Sequence, residues 1–123
     1  MTSTHLTSMR LSTVSIDSSD AARLANWWAD VLGGTINAFP EAGFWNLSAE
    51  GLAGQHLGFC QVDNPTPGKN RLHLDFFVPD RSAAVAELVE LGAKVVYDGD
   101  YQGLTWTTLA DLDGNLFDVT DSL

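Results

Sequence analysis

The feature that most constrains this chain is that it lays out one plan of elements twice. Residues 11–16 alternate, with Val14 and Ile16 apolar and Thr13 and Ser15 polar, the period of a strand with one buried face. The period then changes. Leu24, Trp27, Trp28, Val31 and Leu32 recur at the spacing of one helical face. Ser18, Ser19 or Asp20 can cap that helix, and Gly33-Gly34 supplies a left-handed exit. Residues 35–39, 44–48 and 56–62 follow as short strands between turn residues. Residues 72–78 then start the plan again as a strand, which Pro79-Asp80 ends. Asp80 caps a helix over 82–91 whose buried stripe is Ala84, Val85, Leu88 and Leu91, and Gly92 stops it. Residues 93–97, 104–109 and 115–120 supply three more strands. The helix exits Val31-Leu32-Gly33-Gly34-Thr35-Ile36 and Glu90-Leu91-Gly92-Ala93-Lys94-Val95 match at an offset of roughly 60 residues, the mark of duplicated units that cannot bury their faces alone.

Eight strands and two helices in this order predict an α+β fold: two βαβββ modules forming a curled mixed β-sheet around a concave pocket, with the helices on the outer face. Module one spans residues 9–63 and module two spans 71–122, together one domain over 9–122. The segment 64–70, Asn-Pro-Thr-Pro-Gly-Lys-Asn, reads as the linker, and the Ser/Thr-rich residues 1–8 as a flexible tail. Thr13, Ser15, His73 and Asp75 fall on the polar side of their strands, facing the expected pocket.

A chain of 123 residues buries roughly two-thirds of its unfolded surface and needs no covalent staple. Cys60 is the single cysteine, so no intramolecular disulfide forms, in keeping with a reducing, cytoplasmic setting. Residues 1–8 lack the charged start and apolar core of a secretory signal, so the sequon at Asn46 is not expected to be used. No apolar run approaches the roughly 20 residues of a membrane span. Six Lys+Arg against sixteen Asp+Glu give a formal charge of −10, which repels phosphate backbones and excludes nucleic acid as a partner. The charge serves solubility, or else favours a cationic small molecule.

Three stretches carry a family likeness. Residues 24–33 hold paired aromatics before a Leu-Gly exit, and Lys69-Asn70-Arg71-Leu72-His73-Leu74-Asp75 gives a basic residue ahead of a His-Leu-Asp strand. The third is Leu109-Ala110-Asp111-Leu112-Asp113-Gly114-Asn115-Leu116-Phe117-Asp118, with Leu112 where a proline is usual. In this order they resemble the vicinal oxygen chelate superfamily (glyoxalase/bleomycin resistance/dioxygenase), in its glyoxalase-like branch, over residues 9–122. The resemblance implies a homodimer and a small-molecule ligand or substrate. It also implies, for metal-using members, one ligand from each of the first, fourth, fifth and eighth strands. The matching positions here are Thr13, Phe59 (Gln61 being the lesser alternative), His73 and Asp118. A hydroxyl and a phenyl ring are not useful ligands for Zn, Ni, Fe or Mn, so no metal and no cofactor are expected.

His73 keeps three readings: a metal ligand, a structural hydrogen-bonding group, or a ligand-binding or acid–base group paired with Asp75 on the same strand face. The catalytic candidates are therefore His73, Asp75 and Asp118, and the ligand-binding candidates are Thr13, Phe59, Trp45 and Trp106. Phe44 and Tyr101 are also placed beside the pocket, whereas Trp27 and Trp28 belong to the core. Asp111-Leu112-Asp113-Gly114 lacks the spacing of a calcium loop and reads as a hairpin turn. Cys60 has no electropositive neighbours in sequence to make it a nucleophile. Two function classes remain open: a metal-independent lyase- or isomerase-type enzyme using His73 as acid/base, and a non-catalytic protein that sequesters a small molecule, as bleomycin-resistance relatives do.

Overall fold

A computed structural model of the chain describes residues 7–8, 10–70 and 72–122. It consists of two compact units that divide between Pro65 and Thr66, inside the segment read as a linker. The first unit runs β1 (Thr13–Ser18), α1 (Ala21–Leu32), β2 (Thr35–Phe39), β3 (Phe44–Ser48) and β4 (His56–Gln61). Its sheet order is β1-β4-β3-β2, with β1 parallel to β4 and the other pairs antiparallel. The second unit repeats this as β5 (Leu74–Phe77), α2 (Arg81–Glu90), β6 (Lys94–Tyr101), β7 (Leu104–Ala110) and β8 (Leu116–Thr120). Its order is β5-β8-β7-β6, again with the first strand parallel to the last. Each unit is thus a βαβββ module with a mixed sheet, an α+β fold. No described helix is long and apolar enough to cross a membrane.

Local chemistry sets the elements. Asp20 caps α1 by accepting from Arg23 N at 3.3 Å, and Asp80 caps α2 by accepting from Ala83 N at 3.0 Å. Helix α1 leaves through Gly33 at φ 63, a left-handed position open to glycine at little cost. Gly34 is required for a different reason. A Cβ there would lie 2.6 Å from the carbonyl oxygen of Ser48 on β3. Gln61, the lesser fourth-strand candidate, spends its amide on the start of α1, accepting from Ala21 N at 2.9 Å and donating to Ser19 O at 2.6 Å.

The first core joins Leu24, Trp27 and Trp28 of α1 to Leu47, Leu57 and Phe59, and the two indoles meet edge to face at 5.1 Å. In the second unit Leu88 covers Leu109, Phe117 and Val119, and Phe76 meets Phe117 edge to face at 6.3 Å. Leu91 departs from the expected buried stripe and is 44% exposed, because regular helix ends at Glu90 and Leu91 only closes it. Strand β6 also departs from expectation by running on to Tyr101. Asp98-Gly99-Asp100 looks like turn chemistry but stays paired with β7, and the turn is made by Gln102 and Gly103, both at positive φ. On the helix side of this sheet Arg81 donates to Thr107 Oγ1 at 2.8 Å and reaches Asp121 at 3.3 Å.

Candidate functional site

The site is built on the side of the second sheet away from Phe117, Val119 and Leu109. Strands β5 and β8 lie side by side in parallel, and their register sets Asp75 against Asp118. Side chains alternate along a strand, so His73, two residues before Asp75, falls on the same side. His73 Nδ1 lies 3.3 Å from Asp75 Oδ1 and 3.7 Å from Asp118 Oδ2. Strand β7 brings Thr108 opposite Asp118, and its hydroxyl donates a short hydrogen bond to Asp118 Oδ1. That bond occupies one carboxylate oxygen and leaves the other turned towards the imidazole. Thr108 is a residue the sequence reading missed, although its place on the polar side of β7 is legible from the alternation Thr108, Leu109, Ala110.

Exposure grades across the cluster. The side chains are 19% exposed at Asp118, 46% at His73 and 62% at Asp75. The Asp75 carboxyl titrates above its ordinary value of 3.8, first through partial burial, then through the hydrogen bond it shares with Asp118 and the charge of that neighbour, against the pull of His73.

Trp106 lies on this side too, two residues before Thr108. A Cβ on its cross-strand partner Gly99 would fall 2.0 Å from Trp106 Cε2, so the indole rests on bare backbone. The other expected residues belong to the first unit. Thr13 stands opposite His56 in the parallel β1–β4 pair, on the same side as Ser15 and Gly58. Phe59 is a correction: it pairs with Ile16, on the opposite side of the sheet from Thr13, and is 0% exposed beneath α1. The signal was present in His56-Leu57-Gly58-Phe59-Cys60, where Leu57 and Phe59 alternate inward and the other three outward. Trp45 pairs with Phe59 and shares its side of the sheet, away from Thr13. The structure therefore gathers His73, Asp75 and Asp118, sets Trp106 on the same sheet face, and puts Phe59 and Trp45 on the helix side.

The four-strand metal set fits this chain poorly. The first-strand position offers the Thr13 hydroxyl, and Phe59 faces away from it. Gly58, which does share the side of Thr13, lies under the ring of Phe44, where a Cβ would meet Phe44 Cε1 at 2.7 Å. Beside Thr13 is His56, whose buried Nδ1 makes no hydrogen bond among the described residues. Among the described residues the donors that do converge are those of His73, Asp75 and Asp118, within 4.8 Å of one another. The chemistry these groups offer by themselves is proton transfer.

Similarity to known proteins agrees with this architecture. The sequence profile of the glyoxalase-like domain matches residues 13–120. No curated protein matches the sequence. Among solved structures, a glyoxalase/bleomycin resistance protein/dioxygenase family enzyme from Burkholderia phytofirmans superposes with a TM-score of 0.75 at 21% identity, covering 94% of this chain and 100% of that one. A member of the same superfamily from Sphaerobacter thermophilus gives 0.72 at 19% identity, with 91% and 96% covered. Lactoylglutathione lyase from Agrobacterium tumefaciens gives 0.67 at 15% identity, with 90% and 92% covered. At such identities the likeness concerns the fold, and the profile match carries the assignment: this chain belongs to the glyoxalase-like domain family.

Proposed function

We propose that this protein binds a small organic molecule on the open face of the β5-β8-β7-β6 sheet and moves a proton on it with His73, in a metal-independent lyase- or isomerase-type reaction. The observation that carries the reading is the position of His73 Nδ1, 3.3 Å and 3.7 Å from two carboxylates. With the proton on Nδ1 directed at Asp75 and Asp118, Nε2 keeps its lone pair and addresses the ligand. Nε2 takes a proton from one ligand atom, the neighbouring carboxylates offset the charge of the imidazolium, and the proton returns to another ligand atom or to a departing group.

Sequestration without chemistry is the second reading, favoured by the exposure of Asp75 and His73, which leaves the cluster open to water. In either case the protein acts in the cytoplasm as a homodimer. A thermal-shift screen of small organic molecules, followed by mass analysis of each recovered ligand, separates the two readings. Catalysis returns a changed ligand, and His73→Gln abolishes the change. Recovery of every bound ligand unaltered, or full conversion by His73→Gln, overturns the enzymatic reading.

A further inference from the structure

We propose that Asn70, the last residue of the segment between the modules, is the positioning residue of His73. Its amide orients the peptide that leads into the histidine and so aims the imidazole at Asp75 and Asp118. The inference rests on the proposed use of His73 and names what holds that side chain in place.

The two modules close the same point of their ladders differently. In the first, the N–H of His56 donates to the carbonyl of Ser12 at 2.8 Å, and the next residue, Thr13, pairs with His56. Counted from the paired positions Ser15–Gly58 and Asp75–Asp118, Leu72 corresponds to Ser12, His73 to Thr13 and Leu116 to His56. In the second module the Leu116 N–H donates to Asn70 Oδ1 at 2.9 Å. Asn70 Nδ2 donates in turn to the carbonyl of Leu72 and, at 3.3 Å, to that of Leu116. One side-chain amide thus meets both backbone groups of Leu116 and joins them to Leu72. The β5–β8 ladder begins at Leu74 and Phe117, one residue after His73.

This bridge decides how His73 is held. Its side chain is 46% exposed, so packing alone does not fix its direction. The Leu72 carbonyl belongs to the same rigid peptide plane as the His73 N–H. Holding that carbonyl therefore sets the plane from which the His73 side chain projects, while Leu74, on the other side, is set by its pairing with Phe117. Between these two anchors the imidazole reaches Asp75 at 3.3 Å and Asp118 at 3.7 Å. Asparagine suits the task because its amide presents two donors and an acceptor in one plane. Aspartate has the same shape and no donor.

The test reads the His73 tautomer in the ligand-free, full-length chain by long-range nitrogen–proton correlation NMR at about pH 8.5, well above the ordinary histidine value of about 6.5. His73→Gln assigns the signal among the three histidines. The wild type is expected to carry the proton mainly on Nδ1, which faces the two carboxylates. Asn70→Ala shifts the ratio about fivefold towards Nε2–H, the effect of weakening one hydrogen bond. Asn70→Asp, which keeps the shape and loses both donors, shifts it likewise. Asn115→Ala deletes the bond from Asn115 Nδ2 to Asp111 Oδ2, at 3.1 Å in the hairpin before β8, and leaves the ratio unchanged. A wild-type ratio that already favours Nε2–H, an unchanged ratio in either Asn70 variant, or an equal shift in Asn115→Ala overturns the inference. Should the Asn70 variants not fold, hydrogen exchange of the wild type decides. A Leu116 amide protected less than about tenfold over the unfolded chain overturns the bridge, and greater protection supports it. The tautomer is read without a ligand, so the result is separable from turnover. Absence of conversion leaves the Asn70 effect intact, and an unmoved tautomer leaves His73-dependent conversion intact.

Discussion

Replacing Asp75 by Asn should stabilise the protein at neutral pH, against the usual outcome for loss of a residue that contacts a histidine. Asp75 and Asp118 face each other in the β5–β8 ladder, and like charges so placed are destabilising by roughly 0.2–1 kcal/mol. Asp75 is 62% exposed, so solvent screening holds the effect near the lower part of that range, about 0.5 kcal/mol, or ~2 °C in melting temperature. The sign follows from linkage. The carboxyl titrates above its ordinary value of 3.8 in the folded protein, through partial burial first and then through Asp118. Between 3.8 and that raised value the folded state binds more protons than the unfolded state, so stability falls as pH rises through the window. Above the window the cost is present in full, and below it both states are protonated and the cost is gone. Urea unfolding of both proteins at about pH 7 and about pH 3 measures the difference. The Asn variant should be more stable at the higher pH and lose that advantage at the lower. A variant that is less stable at neutral pH, or that differs equally at both, would show that the His73 contact outweighs the repulsion and that the pair is a structural device.

Gly99→Ala places a Cβ 2.0 Å from Trp106 Cε2; the indole must leave its seat, at a cost of about 1–3 kcal/mol, with a shift in tryptophan emission on the same sample. Asp111→Ala removes the acceptor for Asp113 N and Asn115 N, both at 2.9 Å, and should cost roughly 1–3 kcal/mol in urea unfolding, because Asp111 is 5% exposed and both backbone donors lose that carboxylate. Elemental analysis of protein purified without chelators should find no near-stoichiometric transition metal. Near-stoichiometric metal lost in His73→Ala would replace the proton-transfer reading with a metal centre on His73, Asp75 and Asp118.

The modules were legible because hydrophobic period and helix exits are local signals. Leu24, Trp27 and Trp28 mark a helix wherever it packs, and Gly33 ends it wherever it points. The face of a strand is a weaker signal. The family resemblance sets Phe59 at the fourth-strand position beside Thr13, whereas the parallel register puts Thr13 against His56 and sends Phe59 under α1. Strand β6 shows the same limit from the other direction. Asp98-Gly99-Asp100 has turn composition, yet Gly99 is there to admit the ring of Trp106 from the neighbouring strand. A glycine required by a cross-strand neighbour is indistinguishable in sequence from one required by a turn. His73 and Asp75 could be paired from a two-residue spacing, but Asp118 joined them through the register of β5 with β8, which no local pattern encodes.

The two modules use one ladder position in opposite ways, and this bears on why the cluster occurs where it does. In each, the first strand runs parallel to the last, pairing Ser15 with Gly58 in one and Asp75 with Asp118 in the other. In the first module the ring of Phe44 fills the space over Gly58, and a Cβ there would also meet Ser15 Oγ at 2.9 Å. A carboxylate at that position would have no room. In the second module Thr108 stands opposite Asp118, where Asn46 stands opposite Gly58, and its hydroxyl holds Asp118 in place; the ring at the position of Phe44 is Trp106, which leans over Gly99 on β6 instead of over the last strand. The direction in which that third-strand ring leans, over the last strand in the first module and away from it in the second, is therefore what leaves space for an acid on the last strand. Once that acid is present, the pairing with Asp75 follows from strand register alone. The second module's chemistry thus depends on a residue that touches neither the histidine nor the acids: Gly99 admits the indole over β6 and so keeps the ring off Asp118, and Gly99→Ala should turn the ring towards the acid and close this face as Phe44 closes the first.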